Sequence, residues 1–169
     1  NFGGGTNFNA LLIETDSQGL TYPEVIEAIY NMEAEMRKIG VSALSIADEI
    51  KKVNDVLERN QIMEKISDYL GINKVIFDKV AENGLVDKDF SKTIIVVSLP
   101  LGISIKETEQ LVNKIDEIAS SANIPRNGRV SKLVGQDVVG VEINNQLMGQ
   151  QVQSMITALL LVLVCLILG

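Results

Sequence analysis

The sequence predicts an α+β domain followed by the start of a transmembrane helix. Three observations predict it. Apolar residues make up 46% of 169, enough to fill a core. Two segments, Ala10–Thr15 and Thr93–Leu99, are short apolar runs, each followed by a helix-start signal and an amphipathic stretch. The C-terminal run Met155–Leu168 carries a single polar group, Thr157, in 14 residues.

The elements follow in order. Phe2-Gly-Gly-Gly-Thr-Asn7 has no strand before it and no Lys after it, so it reads as a linker and not as a phosphate cradle. Ala10–Thr15 is a first strand, and Asp16-Ser-Gln-Gly19 a turn. Thr21-Tyr-Pro-Glu24 has the spacing of a capping box, with Pro23 in the first turn where its missing N–H costs nothing. Val25, Ile29, Met32, Met36 and Ile39 recur at helical spacing until Gly40. Val41–Ser45 is a short strand, and Ser45-Ile-Ala-Asp48 opens a helix to about Arg59. Short helices are expected over Gln61–Leu70 and Asn73–Asn83, their alternating charges solvated.

Thr93–Leu99 is the strongest strand. Pro100-Leu-Gly-Ile103 is a turn, and Ser104-Ile-Lys-Glu107 a second capping box. Leu111, Ile115, Ile118, Ala119 and Ala122 mark its helix, which ends before Pro125. Arg126-Asn-Gly128 is a turn and Arg129–Val134 a fourth strand. Asp137 can cap a last helix on which Val139, Ile143 and Leu147 lie on one face and which can run unbroken into the apolar tail. Strand, helix-start signal, amphipathic helix and strand recur in both halves, a weak internal repeat. Two such units on one sheet predict the ferredoxin-like split βαβ arrangement with a helical insertion.

Such a sheet carries helices on one face, so its strands should alternate apolar and polar. Ala10–Ile13 and Ile94–Val97 are instead apolar throughout. Either the insert over 46–84 folds across the open face, or a partner domain covers it. Leu11, Ile13, Ile95 and Val97, or their alternates, are the residues expected at a domain interface or along a substrate path; alternation does not say which parity faces out.

The tail is apolar on every side, unlike a surface helix with one stripe. Its 14 residues reach about 21 Å as a helix, against about 30 Å of bilayer hydrocarbon, so it reads as a transmembrane helix cut short, with a buried core helix as the alternative. The Thr157 hydroxyl can bond back to a helix carbonyl, and Cys165 is a small apolar filler.

Chemistry is poorly supplied. With no His, there is no Ser-His-Asp or Cys-His catalysis and no His-based metal site. One Cys makes neither an intramolecular disulfide nor a zinc cluster. A net charge of −7, with four Phe, three Tyr and no Trp, argues against nucleic-acid binding. The pairs Glu33/Glu35 and Asp48/Glu49 read as helix carboxylates facing water. Asp87 and Asp89 lack the spacing of a calcium loop, and Met32 and Met36 suit a core better than a pliable binding surface. No catalytic residue, cofactor or metal site is expected.

Several of these segments together resemble the extracytoplasmic porter loop of the resistance-nodulation-division (RND) superfamily, closest to the hydrophobe/amphiphile efflux-3 exporters related to MMPL and sterol-sensing proteins. The segments are Phe2–Gly5 with Ala10–Glu14, Thr21-Tyr-Pro-Glu-Val25, Val41–Asp48, Thr93–Leu99 with Ser104–Glu107, Val134-Gly135, Glu142-Ile-Asn144, and the apolar run from Ile156. Each is soft; their order and spacing over nearly the whole chain carry the resemblance. It implies the first large loop of a proton-driven membrane exporter of hydrophobic or amphiphilic molecules. Residues 1–9 would link from a preceding transmembrane helix, 10–136 form the porter domain with its insert at 46–90, and 137–169 connect into the membrane. It further implies a periplasmic or extracellular location for the soluble part. Its partners would be the bilayer, the substrate and a second porter domain of the same transporter, with homo-oligomers allowed. Proton relay in that family uses intramembrane carboxylates; Met155–Leu168 has none, so no coupling residue is carried over. The alternative is a membrane-anchored ligand-binding or sensory module on the same core.

Overall fold

The computed structural model describes residues 8–51 and 86–168. Its sheet is antiparallel. Strands β1 (Asn9–Glu14), β2 (Ser42–Leu44), β3 (Lys92–Ser98) and β4 (Arg129–Val130) lie in the order β2-β3-β1-β4, and β5 (Val134–Gly135) also pairs with β1. Helix α1 (Pro23–Lys38) follows β1, α2 (Ile105–Ser121) follows β3, and α3 (Gln136–Leu168) follows β5. The helices expected over Gln61–Leu70 and Asn73–Asn83, and the Gly-rich start, lie outside the described residues.

Among the described residues the buried side chains form one core. From the sheet come Leu11, Ile13, Ala43, Ile95 and Val97. From α1 come Val25, Ile29, Met32 and Met36, and from α2 Val112, Ile115 and Ala119. Residues 46–51 are helical, and Ile46, Ala47 and Ile50 join this same core beside α1. Each of the larger side chains contributes about 1.5–3 kcal/mol on leaving water.

The parity of the strands is therefore settled. Leu11, Ile13, Ile95 and Val97 are fully buried under the helices, not on the open face. The alternates Ala10, Leu12, Ile94 and Val96 face the other way and are half-buried or exposed. Their register aligns Leu44, Val96, Ala10 and Val134 in one apolar row across the strands, with Leu12 opposite Ile94 beside it. Leu44 is 50% exposed, Val134 60% and Leu12 37%.

The two expected capping boxes part company. At α2 the Ser104 hydroxyl accepts from the Glu107 amide, and the Glu107 carboxylate accepts from the Ser104 amide at 2.8 Å. The Ser104 amide first, and then the Ser104 hydroxyl, which also donates to the carboxylate at 2.7 Å, hold the Glu107 carboxyl below its ordinary range. At α1 there is no side-chain cap. Residues Gly19–Thr21 form a 3-10 turn that runs into the helix one residue late, making Tyr22 the cap. Thr21 spends its hydroxyl on the Gln18 carbonyl at 2.7 Å, and Glu24 pairs with Arg126 at 3.3 Å. Pro23 does open the helix, and Gly40 follows its end with φ +87°.

The fourth strand is interrupted. Between the pairs Ile13↔Val130 and Ala10↔Val134, β1 advances three residues and its partner four, so one extra residue makes a bulge. Ser131 still bonds Leu12 through its amide and hydroxyl, while Leu133 turns into the core with its amide on the Asp116 carboxylate at 2.7 Å.

Replacing Ser104 by Ala removes one reciprocal cap and should lower stability by about 1 kcal/mol. Thr21→Val, which removes no helix cap, should cost less. Urea unfolding of the detergent-solubilised chain, followed by circular dichroism, checks the ranking.

Candidate functional site

The feature most committed to a function is α3 and the corner from which it leaves the sheet. β5 ends at Gly135 and α3 begins at Gln136, with no loop between them. Asn9, at the start of β1 and almost fully buried, fastens the corner twice: its amide nitrogen donates to Asp137 Oδ2 at 2.8 Å, and its side-chain oxygen accepts from the Asp137 backbone amide at 3.2 Å. Asp137 thus lies in the first turn, where negative charge meets the positive end of the helix dipole. Gly135 is opposite Asn9 in register, and a Cβ there would sit 2.5 Å from the Asn9 Cα and 2.6 Å from the Phe8 carbonyl oxygen.

The first turns of α3 lie on α2. Val141 is buried, Val138 packs against the core, and Asn145 donates to Glu109 at 3.0 Å. Val139, Ile143 and Leu147, which share one face of the helix, are exposed. Spacing four apart made them a plausible stripe, but the bulge and the Asn9–Asp137 clasp set the rotation of the helix and turn Val138 and Val141 inward instead.

The helix runs 33 residues, about 50 Å at the α-helical rise. It is long and apolar enough to cross a membrane, and its apolar part is not buried in the domain. Every side chain described from Met155 to Leu166 faces outward, Leu160 at 58% exposure. Each such side chain favours an apolar medium over water by about 1.5–3 kcal/mol. Gln150, Gln153, Ser154, Thr157 and Ala158 form a more polar strip on one side, and the Thr157 hydroxyl bonds back to the Gln153 carbonyl at 2.8 Å.

The other sequence candidates fall in structural roles. Met32 and Met36 are core. Asp87 caps a tight turn, its carboxylate accepting the Ser91 amide at 2.7 Å, the Ser91 hydroxyl at 2.7 Å and the Lys92 amide at 2.9 Å. Burial alone would raise this carboxyl; the Ser91 hydroxyl, those amides and the Lys92 charge together hold it below its usual range.

Glu33 departs from the sequence expectation. It does not face water: the side chain is 0% exposed, and neither carboxylate oxygen has a hydrogen-bond partner. Arg37, one turn on, approaches to 3.5 Å but is held by Asp48 at 2.5 Å and the Ala43 carbonyl at 2.7 Å. Burial pushes the Glu33 carboxyl up to about 7; the Ser45 hydroxyl opposes this, Asp48 adds to it and Arg37 opposes it. In sequence Glu33 reads as a helix carboxylate facing water; in the fold, Ser45 and Asp48 of the segment starting at Ser45 lie beside it.

Comparison of the chain with family models, curated proteins and solved structures found no match.

Gly135→Ala should destabilise the domain by about 2 kcal/mol or more, because Ala must displace β1 backbone; the thermal midpoint in detergent measures this. Leu161→Arg should weaken membrane insertion by about 2.5–3.5 kcal/mol if Leu161 lies near the bilayer centre. A glycosylation-mapped insertion assay reads that shift.

Proposed function

We propose that this chain is an extracytoplasmic porter domain of a proton-driven RND-type exporter, passing hydrophobic or amphiphilic molecules. The carrying observation is α3, which leaves the sheet without a loop and continues as one 33-residue helix into an apolar stretch bare of protein. A domain joined to a membrane helix in this way moves as one body with it, which suits a part that must rock to open and close a cleft.

Two further features support this reading. The strand order β2-β3-β1-β4, all antiparallel, with α1 and α2 each linking a pair of strands, is the order expected of a ferredoxin-like split βαβ domain. The open face offers an apolar surface, Leu12, Leu44, Ile94, Val96 and Val134, to a second porter domain or to the substrate. Its role is to bind and guide, with no bond made or broken. The single candidate span among the described residues also suits a membrane-anchored ligand-binding or sensory module, the second reading.

The experiment is efflux of a lipophilic dye from cells lacking the gene, complemented by the full-length gene product. Wild type should restore efflux, and Leu12→Asp or Val96→Asp should reduce it at least several-fold while expression and membrane insertion persist. Wild type failing to restore efflux, in a gene product with only one or two membrane spans, would leave the sensory module in its place.

A further inference from the structure

Glu33 lies in a three-group cluster between two elements. Glu33 and Arg37 belong to α1; Asp48 belongs to the helical segment that starts at Ser45. Ser45 caps that segment, its hydroxyl accepting from the Ala47 amide at 3.0 Å. Two carboxylates thus face one guanidinium. Arg37 gives its short bonds to Asp48 and the Ala43 carbonyl, leaving Glu33 with the 3.5 Å approach and no hydrogen bond. A charged carboxylate so placed is costly, because burial removes water, and the Ser45 hydroxyl and the Arg37 charge at 3.5 Å offset only part of that loss. A protonated one is not, and the remaining Arg37–Asp48 pair is balanced.

We propose that Glu33 is a proton-binding latch: uncharged, it lets the segment starting at Ser45 stay seated on α1, and charged, it loosens that seat. The other groups at the contact do not take over its role. Lys51 lies over the Tyr30 ring at 3.9 Å, with Arg37 5.8 Å from the same ring, and Glu35 pairs outward with Lys38 at 2.6 Å. β2 contributes the Ala43 carbonyl to Arg37. Ile46, Ala47 and Ile50 enter the core directly beside the latch, so unseating the segment opens the domain's own apolar interior.

The direction with pH follows from the raised carboxyl. Near pH 4.5 and below, Glu33 is protonated seated or released, and the seat is at its firmest. Between about 4.5 and about 7 only the seated form holds the proton, so seating weakens as pH rises. Above about 7 both forms are ionised and the loss levels off.

Hydrogen exchange of residues 45–51, in the full chain in detergent micelles and corrected for intrinsic rates, tests this from pH 4.5 to 8. Wild-type protection should fall by up to about tenfold per pH unit between pH 5 and 7. Glu33→Gln should remove the slope. Asp48→Asn, which removes a neighbouring negative charge, should move the midpoint to lower pH. Flat wild-type protection, or a wild-type slope in Glu33→Gln, overturns the proposal. Should Glu33→Gln not fold, an Asp48→Asn midpoint equal to wild type overturns it.

Discussion

The corner where the sheet becomes a long apolar helix sets the terms for the rest of the molecule. Asn9 clasps Asp137, Gly135 lets β1 come close, and α3 starts at the next residue. Because Asn9 is also in register with Val97 in β3, the clasp ties the long helix to the strand pair at the centre of the sheet. The bulge opposite Leu11 and Leu12 adds the residue that lets Leu133 enter the core and still brings Gly135 to Asn9. Packing, rotation and exit of α3 all follow from that small set of contacts.

Much of this was visible in the sequence, and the limits were physical. The apolar runs in β1 and β3 identified strands, but a run without alternation cannot reveal its parity. Leu11, Ile13, Ile95 and Val97 went inward because the helices cover that face. The Ser104 capping box was legible because both of its bonds are local. The same pattern at Thr21 misled because the long-range contact of Glu24 with Arg126 and the 3-10 turn at Gly19–Thr21 shifted the helix start. On α3 a similar limit holds: spacing shows which residues share a face, while tertiary contacts decide which face turns in.

Glu33 was the least legible residue of all. Nothing within a helical turn distinguishes it from Glu35, which is exposed and paired with Lys38. The difference goes with the segment from Ser45, which places Asp48 in competition for Arg37. Burial of an ionisable group by a segment brought from further along the chain leaves no periodic mark. The apolar tail is the opposite case, since its composition alone matched the helix that the fold leaves bare.

The absence of any spacer between β5 and α3 also bears on evolutionary change. An α-helix turns about 100° per residue, so one residue added or lost just after the clasp would re-aim every apolar side chain of the tail relative to the domain. Substitutions along the tail that keep it greasy leave this orientation intact; a single-codon insertion at its root does not. In descendants of this chain, indels should therefore be tolerated in the turns away from the corner and purged from the stretch between Val134 and Asn145.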